Sequence, residues 1–334
     1  MKTIHVSFII PVYNRPDEVK ELLDSFLMLE GEKDFEIVIV EDGSQISSKE
    51  VVSQFDRTLH VSYFNKPNSG PGDSRNYGMR RAKGNYFIIL DSDCILPPQY
   101  LTEVLKSLNE NFVHCFGGPD AAHASFSNVQ KAINYAMTSV LSTGGIRGGT
   151  SAVDKFQPRS FNMGISKEAF EKVGGYGKIH PGEDPDLTIR IWNKGYETKL
   201  IPKAFVYHKR RIDWHKFFIQ VNKFGLVRPI LNKWHPETAK ITYWFPTLFC
   251  LGFLISLILM VLNIFIPLGI YLLYFMLVFI DSLIKNRNVS VAFLSIFAVC
   301  VQFLGYGIGF LKSTFWINFS KKKPKELFPK LFFN

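Results

Sequence analysis

One uncharged stretch constrains this chain more than any other feature of its sequence. Between Lys240 and Asp281 there is no Lys, Arg, Asp or Glu, and the segment is filled with Leu, Ile, Phe and Val. One helical crossing of a bilayer core takes about 20 residues, so the stretch is long enough for two crossings. Asn263 and Pro267 predict a turn between them, because proline interrupts the interior of a helix.

A second uncharged stretch, between Arg287 and Lys312, is long enough for a third crossing. Aromatic residues near the first stretch suit a membrane interface: Trp234, Tyr243 and Trp244. Anionic lipids attract each surface Lys or Arg by about 1 kcal/mol, and four lysines occur in the tail: Lys321, Lys322, Lys323 and Lys325. We therefore expect two to three transmembrane helices over residues 241–312, a basic tail over 313–334, and membrane lipids as partners.

The number of crossings stays open at this point. Three full crossings would place the lysine-rich tail on the side opposite the N-terminal domain, against the positive-inside rule. Either one segment is re-entrant or interfacial, or the rule is broken. Three glycines are places where the last helix could break: Gly305, Gly307 and Gly309.

The formal net charge of +10 does not indicate a nucleic-acid-binding protein, because it is unevenly distributed. From Met1 to Pro202 there are 22 Lys and Arg against 25 Asp and Glu, so the excess lies in the last third. No nucleic-acid partner is therefore expected. The sequence does not indicate an oligomeric state.

The N-terminal segment does not resemble an export signal, since its apolar run VSFII is too short and leads straight into Pro11. We therefore expect a multi-pass protein of the cell (inner) membrane with its large domain in the cytoplasm. The four cysteines show neither metal nor disulfide spacing and are interpreted as packing residues: Cys94, Cys115, Cys250 and Cys300.

Strand and helix patterns alternate through the first 200 or so residues. Continuous apolar runs, typical of strands covered on both faces, alternate with helical spacing. In order, the segments are the strand VSFIIPV, a helix from Pro16, the strands FEIVIVEDGS and HVSYFN, the helix PGDSRNYGMRRAKG and the strand NYFIIL. This alternation predicts an open, mostly parallel sheet, whose ligands bind beyond the carboxyl ends of the strands.

Carboxylates follow two of these strands directly, namely Asp42 and the pair Asp91 and Asp93. If the fourth strand stays extended through Asp93, the period of two points both members of the pair the same way. Their mutual repulsion favours a divalent cation held with substrate phosphates. The alternative is that Asp91 and Ser92 cap the following helix.

Four segments in a fixed order resemble the family 2 glycosyltransferases: PVYNRPDEV, VEDGS, NSGPGDSRNYGMRRAKGNYFIILDSD and GEDPDLTIRIW. The resemblance spans Val6 to His208. It implies the GT-A fold, a Rossmann-like, nucleotide-binding, mostly parallel sheet with helices on both faces. It also implies an inverting enzyme that uses a nucleotide-diphospho-sugar. Glu41 departs from the family, which more often has aspartate there.

The resemblance implies how the donor is bound. Pro11, Tyr13 and Asn14 match the first nucleotide-contact loop, and Asp42 matches the acid that accepts a hydrogen bond from the base, usually uracil. Arg75 matches an arginine near the nucleotide, where a guanidinium suits phosphate or ribose oxygens.

The same resemblance implies the metal site. The motif Asp91-Ser92-Asp93 matches the DXD element, with Asp93 as metal ligand and Asp91 nearer the ribose or sugar. The ion would be Mg²⁺ or Mn²⁺, bridging the diphosphate. His208 matches a histidine near the diphosphate or metal in some relatives, and a structural role is the alternative.

Catalysis is assigned by the resemblance to Asp184 as general base, which takes a proton from the acceptor hydroxyl. Glu183 shares that work or positions the acceptor. The alternative for both acids is the start of a capped helix, since acids are favourable near its positive end.

Further contacts to the acceptor or to a closing loop are predicted at four positions. Arg147 lies in a glycine-rich segment that could close over the donor or be a plain connection. Asn162 matches the acceptor-side segment. Arg190 and Trp192 partly match the QXXRW element of processive members, but Leu187 replaces the Gln, so polymer synthesis is not expected.

The segment Asp213 to Gly225 has the pattern of an amphipathic helix. Five apolar residues share a stripe: Trp214, Phe217, Phe218, Val221 and Phe224. Such a helix can lie in the membrane interface or pack against the catalytic domain, and both alternatives stay open.

The sequence thus predicts a catalytic domain over 1–210, a connecting helix region over 211–240, and the membrane region. We expect a metal-dependent, membrane-anchored glycosyltransferase that transfers a sugar, with UDP as the favoured carrier, to a lipid-linked or cell-envelope glycan acceptor. Two alternatives are a polyprenyl-phosphate sugar synthase and an inactive sugar-nucleotide-binding scaffold. A small transporter is disfavoured, because the membrane segments lack buried charge apart from Asp281 near an end.

Overall fold

The computed structural model describes residues 3–31, 34–121, 126–143, 155–208 and 213–333. The described residues form two compact units. The first contains 3–31, 34–121, 155–208 and 332–333, and the second contains 126–143 and 213–331.

Strands and helices alternate in the first unit, as predicted. Its strands are β1 (Val6–Val12), β2 (Phe35–Asp42), β3 (Val61–Lys66), β4 (Tyr86–Leu90), β5 (Cys94–Ile95), β6 (Cys115–Gly117), β7 (Asp120–Ala121), β8 (Asn162–Ser166), β9 (Thr198–Leu200) and β10 (Val206–His208). Its helices are α1 (Pro16–Leu27), α2 (Lys49–Ser53), α3 (Pro71–Arg81), α4 (Tyr100–Glu110), α7 (Lys167–Val173) and α8 (Glu183–Asn193), where α5 and α6 belong to the second unit.

Seven strands form one sheet in the order β3-β2-β1-β4-β8-β6-β9. Strand β8 runs antiparallel to both of its neighbours, and the other pairs are parallel. The predicted mostly parallel sheet is therefore confirmed. The carboxyl ends of β1, β2 and β4 meet at one edge, because these three strands are parallel neighbours.

Apolar side chains of the central strands contribute to two hydrophobic cores, one on each face of the sheet. In β1, Phe8 and Ile10 join a core with Leu22 and Phe26 of α1. Ile9, between them, faces the other way and joins a core with Met79 of α3. Burial on both faces explains why this strand is apolar at successive positions rather than at alternate ones.

Strand β4 ends at Leu90, so the condition that it stays extended through Asp93 is not met. The chain turns here, and the N–H of Cys94 donates to the carbonyl oxygen of Asp91 at 3.1 Å. The carboxylates of Asp91 and Asp93 consequently reach different partners instead of pointing the same way.

A small second sheet has the order β5-β10-β7. Strands β5 and β10 are antiparallel, with His208 opposite Cys94. This pairing brings the end of the predicted catalytic domain back to the turn that follows β4.

The second unit is helical. Its helices are α5 (Asn128–Thr138), α6 (Val140–Thr143), α9 (Trp214–Trp234), α10 (Phe245–Val261), α11 (Ile266–Asn286), α12 (Val289–Phe319) and α13 (Pro324–Leu327), with 3₁₀ turns at Pro236–Thr238, Ile241–Trp244 and Pro329–Leu331. Three segments are long and apolar enough to cross a membrane: Ile241–Val261, Ile266–Asn286 and Val289–Phe319. The predicted turn is present, because α10 ends before Asn263 and α11 carries Pro267 in its first turn.

Helix α12 is continuous, so the break at its three glycines that the sequence left open does not occur. The glycines are instead sites of close helix packing, because a Cβ on Gly305 or Gly309 would collide with α9. A Cβ on Gly307 would press against Thr247 of α10. Small residues that let helix backbones approach closely are typical of membrane helix interfaces.

Helix α9 is longer than the predicted amphipathic segment and has a partner that neither alternative named. Phe217 and Val221 are buried in a core with Val299 and Phe303 of α12. The apolar stripe of α9 is therefore covered by a membrane-type helix within the second unit.

Residues 126–143 lie within the predicted catalytic domain, but in the structure they cluster with the C-terminal helices. Ala132 and Ile133 of α5 share the core of α12. The hydroxyl of Tyr135 donates to Asp281 of α11 at 2.7 Å, and Lys285 pairs with the same carboxylate at 2.9 Å. The predicted catalytic domain over 1–210 therefore differs from the structural division at this segment.

Candidate functional site

Asn14 links the loops after β1 and β2 by hydrogen bonds. Its side-chain oxygen accepts hydrogen bonds from the N–H groups of Gln45 and Ile46 at 2.7 and 3.0 Å. Its own N–H donates to Ser44 Oγ at 2.8 Å. Asn14 has a φ of 54°, a left-handed conformation that asparagine tolerates better than most residues.

Two neighbours of Asn14 were also predicted to contact the nucleotide. Pro11 lies near the end of β1, where it is partly buried. Tyr13 is 50% exposed at the same edge of the sheet. An exposed aromatic ring here is free to stack on a ligand.

Asp42 is buried at the end of β2 and holds the loop that leads into α3. Its two oxygens accept the N–H groups of Ser69 and Gly70, each at 2.9 Å. Lys66 forms an ion pair with it. Asp42 therefore shapes the neighbouring backbone in addition to facing this edge.

Arg75 of α3 joins two of the predicted motifs. Its Nη2 donates to Asp91 Oδ1 at 2.8 Å, and its Nη1 donates to Glu183 Oε1 at 3.3 Å. The guanidinium also lies over the ring of Tyr176, 5.3 Å from the centroid. Arg75 is buried, and although burial alone would lower its pKa, Asp91 and its other neighbours raise it, so the side chain stays charged.

We expect Arg75→Leu to lower the free energy of unfolding by about 3–5 kcal/mol, because it leaves the buried carboxylate of Glu183 without its guanidinium. Thermal unfolding of the detergent-solubilised chain measures the loss. Arg80→Leu is the matched control, since Arg80 is exposed and lies 3.9 Å from Asp73, a pair expected to contribute about 0–1 kcal/mol. Equal stability of the two variants would contradict the role of Arg75.

Glu183 is the first residue of α8 and has polar partners on two sides. His180 Nδ1 lies 2.8 Å from Glu183 Oε1, the oxygen that also faces Arg75. Burial raises the pKa of Glu183, but His180 and Arg75 outweigh it, and the pKa falls well below its usual range. A carboxylate with such a low pKa is a poor proton acceptor.

Asp184 differs from Glu183 although the two are adjacent. Burial and the charge of Glu183 raise the pKa of Asp184, and Arg75 and Arg159 oppose this only in part. Its Oδ1 is buried and accepts no hydrogen bond from the residues that the structure describes. Of the two acids, Asp184 has the properties of a general base, whose efficiency rises as its pKa approaches the working pH.

Asp93 lies between Arg15 and His208. Arg15 donates to its Oδ2, and His208 Nε2 lies 3.1 Å from its Oδ1. Burial raises the pKa of Asp93, but His208 and Arg15 outweigh it and hold the carboxyl well below its usual range. The predicted ligands Asp93 and His208 are therefore adjacent.

Cys94 also approaches these two residues, since one ligand atom from each lies within 4.8 Å of the others. Its thiol is buried and directed at the carbonyl oxygen of Phe161, 3.5 Å away. Burial, with Asp93 and Asp91 nearby, raises its pKa well above the usual range. Cys94 therefore has the surroundings of a packing residue, and Asp93 and His208 are the residues that could hold a metal ion.

The acceptor contact predicted for Asn162 is not supported by its position. The residue is fully buried in β8. Its side-chain oxygen accepts from Tyr100 Oη at 2.6 Å, and its amide donates to the carbonyl oxygen of Ala204 at 2.7 Å. Both ends of the amide are thus used inside the core.

Arg190 and Trp192 also make structural contacts rather than the predicted acceptor contacts. Arg190 pairs with Asp186 at 2.9 Å and donates to the carbonyl oxygen of Val173 at 2.8 Å. Trp192 Nε1 donates to Thr198 Oγ1 at 3.0 Å. Arg147 and its glycine-rich segment lie outside the described residues.

Sequence reasoning missed Arg15 and His180 as members of this network. Arg15 stands directly after Asn14 in a motif that was already singled out. His180 lies three residues before Glu183, close enough in sequence to suggest contact. An arginine or a histidine alone does not identify a functional site from the sequence. The pairing of Arg15 with Asp93 and of His180 with Glu183 is seen only in the structure.

Comparison of the sequence with known proteins gives consistent matches. Residues 7–174 match the family model described as Glycosyl transferase family 2. An uncharacterised glycosyltransferase of Haemophilus influenzae is 30% identical over 195 residues, covering 56% of this chain and 61% of that protein. An uncharacterised glycosyltransferase of Rickettsia felis is 40% identical over 106 residues, covering 32% of this chain and only 17% of that protein.

Comparison of the structure shows the same fold. The mannosyltransferase PcManGT from Pyrobaculum calidifontis, solved in complex with GDP-Man and Mn²⁺, has a TM-score of 0.60 at 15% identity and covers 95% of this chain and 88% of its own. TarS 1-349 from S. aureus, solved with UDP-GlcNAc, has a TM-score of 0.50 at 15% identity and covers 92% and 91%. Such low identity shows the fold alone, and the GT-A prediction is confirmed.

The matched segment and the fold agree with the ordered motifs. The family model covers half of the chain, from β1 to the end of α7. It includes Asp42, Arg75, Asp91 and Asp93. The chain therefore belongs to glycosyl transferase family 2.

Proposed function

We propose that this chain transfers a sugar, with inversion, from a nucleotide-diphospho-sugar to an acceptor that is lipid-linked or part of a cell-envelope glycan. The donor is UDP-linked, and the cofactor is a divalent cation. The relatives are uncharacterised and are matched over part of their length, so donor and acceptor are part of the proposal.

The observation that carries the proposal is the bridge made by Arg75. Asp91 belongs to the DXD motif and Glu183 to the start of α8, 92 positions apart in the chain. Arg75 contacts both, at 2.8 and 3.3 Å. The turn that carries Asp93 and the helix that carries Asp184 therefore flank one guanidinium, which supports a shared site.

The proposed chemistry is a single displacement. The acceptor hydroxyl oxygen attacks the anomeric carbon while the bond from that carbon to the diphosphate oxygen breaks. Asp184 accepts the hydroxyl proton, and the nucleoside diphosphate leaves with the bonding electron pair. Glu183 remains charged and holds Arg75 and His180, so it acts by positioning rather than by proton transfer.

The residues present fit a divalent cation. Asp93 and His208 supply one buried carboxylate and one imidazole nitrogen, 3.1 Å apart. When bound there, Mg²⁺ or Mn²⁺ neutralises charge on the departing diphosphate. Mg²⁺ prefers an all-oxygen set, so the imidazole of His208 favours Mn²⁺.

The membrane helices support an acceptor at the bilayer surface. The three candidate spans expose large apolar residues along their length, a surface that is stable in lipid and costly in water. An enzyme held there meets lipid-linked acceptors at high local concentration.

We expect the purified full chain to hydrolyse a nucleotide-sugar slowly, with water in place of the acceptor. UDP-glucose, UDP-N-acetylglucosamine and GDP-mannose are each incubated with Mn²⁺, with Mg²⁺ or with EDTA, and released nucleotide is measured. The expected result is turnover of a UDP-sugar, faster with Mn²⁺ than with Mg²⁺ and absent with EDTA.

Two outcomes would contradict the proposal in different ways. Turnover that EDTA does not reduce would contradict the metal site at Asp93 and His208. Neither binding nor turnover of any of the three donors would contradict the donor class.

A further inference from the structure

Phe332 and Phe333, here called the strap, lie against the loop that precedes α8. Phe333 donates its backbone N–H to the carbonyl oxygen of Lys178 at 3.0 Å. Phe332 forms an antiparallel bridge with Ile179. These residues belong to the first unit, although the chain before them, from 213 to 331, belongs to the second. The strap therefore adds a short strand-like contact to the loop that carries His180.

The ring of Phe333 occupies a defined place beside that loop. Its centroid lies 5.9 Å from that of the His180 ring. A Cβ added to Gly70 would collide with the ring, so glycine is required for this close approach. Gly70 is the residue whose N–H donates to Asp42. Phe333 thus contacts both the donor-side loop and the loop before the general base.

A cavity of about 240 Å³ lies beside the strap. Its lining includes Asp73, Asn76, Tyr176, His180 and Phe333. Phe333 and His180 therefore line the same cavity. The side chain of His180 is 40% exposed.

His180 is the outer end of a chain of polar contacts. Its Nδ1 lies 2.8 Å from Glu183 Oε1, and that oxygen accepts from Arg75. Arg75 in turn donates to Asp91. Any group that fixes the His180 ring therefore acts on the carboxylate that precedes the proposed base.

We propose that Phe333 is a positioning residue for sugar transfer, which it serves by holding His180 against Glu183. The proposal rests on the function proposed above. With Glu183 and Arg75 held in place, the first turn of α8 presents Asp184 to the acceptor. Phe333 touches none of the reacting atoms and acts only through His180.

The expected loss of kcat can be bounded from the cost of displacing a catalytic group. A displacement of about 1 Å at a catalytic group, caused by a change away from the chemistry, can cost about 10²-fold in rate. Phe333→Ala releases the ring of His180 but leaves Glu183 paired with Arg75. We therefore expect a smaller loss in kcat, about tenfold, with the KM for the donor changed less than twofold.

The experiment uses the full chain and the donor that the wild type turns over fastest with Mn²⁺. Phe333→Ala, His180→Ala and the double variant are compared for kcat and KM. If the strap acts through His180, the double variant is no slower than His180→Ala, because residues of one chain of contacts are not additive. His180→Asn keeps a side-chain amide that can reach Glu183, and it should recover part of the kcat.

A matched control comes from another phenylalanine that packs on a histidine. The rings of Phe112 and His114 lie 5.1 Å apart, and Phe112 is 49% exposed. Phe112→Ala should leave kcat unchanged. Thermal unfolding of each variant shows whether a loss of kcat merely follows a loss of stability.

Each result decides one question. A wild-type kcat in Phe333→Ala, or losses that multiply in the double variant, would overturn the positioning role and leave the proposed function intact. A wild type that turns over none of the three donors would overturn the proposed function, and the positioning role with it. A tenfold, non-additive loss that His180→Asn partly recovers would support both.

Discussion

Asp184→Asn is expected to lower kcat by about 10²–10⁴-fold, the usual contribution of a general base. The substitution keeps the size of the side chain and removes its ability to accept a proton at neutral pH. Donor binding should persist, because the groups proposed to bind the donor lie on other elements: Asn14, Asp42, Arg75, Asp91 and Asp93. Mn²⁺-dependent donor hydrolysis gives kcat, and donor-induced thermal stabilisation gives binding.

The pH profile of kcat gives a second test of Asp184. Burial and Glu183 raise its pKa above the ordinary value, which for aspartate is about 3.9. A base works only when deprotonated, so kcat should fall as the pH drops through this raised pKa. The acid limb of the wild type should therefore lie at a higher pH than an exposed aspartate would give, and Asp184→Asn should lack it.

A control for Asp184→Asn is available on the same helix. Asp186 also lies in the first turn of α8, but it pairs with Arg190 at 2.9 Å. Asp186→Asn should lower thermal stability and leave kcat nearly unchanged. If Asp184→Asn kept wild-type kcat, or if both variants lost activity equally, Asp184 would not be the base.

The sheet was predictable because its signal is local. The apolar runs of β1, β2 and β4 and the helical spacing of α1 depend on neighbouring residues, and each element formed where the pattern placed it. The mostly parallel arrangement then followed from the alternation of strands with helices. The carboxyl edge, with Asp42 and Asp91, could therefore be located from the sequence.

The roles of buried polar residues were less predictable. Asn162 matched an acceptor-side segment, yet its amide is used entirely by Tyr100 and Ala204. A sequence pattern records the residue type but not whether the side chain faces a cleft or a core. The same ambiguity explains Arg190, whose guanidinium ties α8 to the loop after α7.

Packing between helices was also beyond local reasoning. The glycines of α12 were interpreted as possible breaks, since glycine lowers helix propensity by about 1 kcal/mol. In the structure these glycines lack a side chain where α9 and α10 pack closely against α12. The strap was not predicted for a similar reason. Phe332 and Phe333 belong to no motif, and their contact with the loop before α8 is visible only in the structure.

Asp93→Ala is expected to abolish metal-dependent donor binding. The variant removes the only carboxylate of the proposed donor set and leaves His208 as a single ligand. A ligand at 100 times its Kd stabilises the folded state by about 2.7 kcal/mol, which shifts Tm by roughly 5 °C or more for a domain of this size. The wild type with Mn²⁺ and its donor should show such a shift, and the variant should show none.

Loss of the metal must be separated from loss of a charge. A control is available in a second Asp–His pair. Asp34 lies 3.7 Å from His5, and its side chain is 85% exposed. Asp34→Ala should retain the full shift in Tm with Mn²⁺ and donor. Retention of that shift by Asp93→Ala would mean that the cation binds elsewhere. Because Arg15 donates to this carboxylate, Asp93→Asn keeps one oxygen that can accept from Arg15 and should still lose the metal-dependent shift, which would assign the loss to the carboxylate rather than to the size of the side chain.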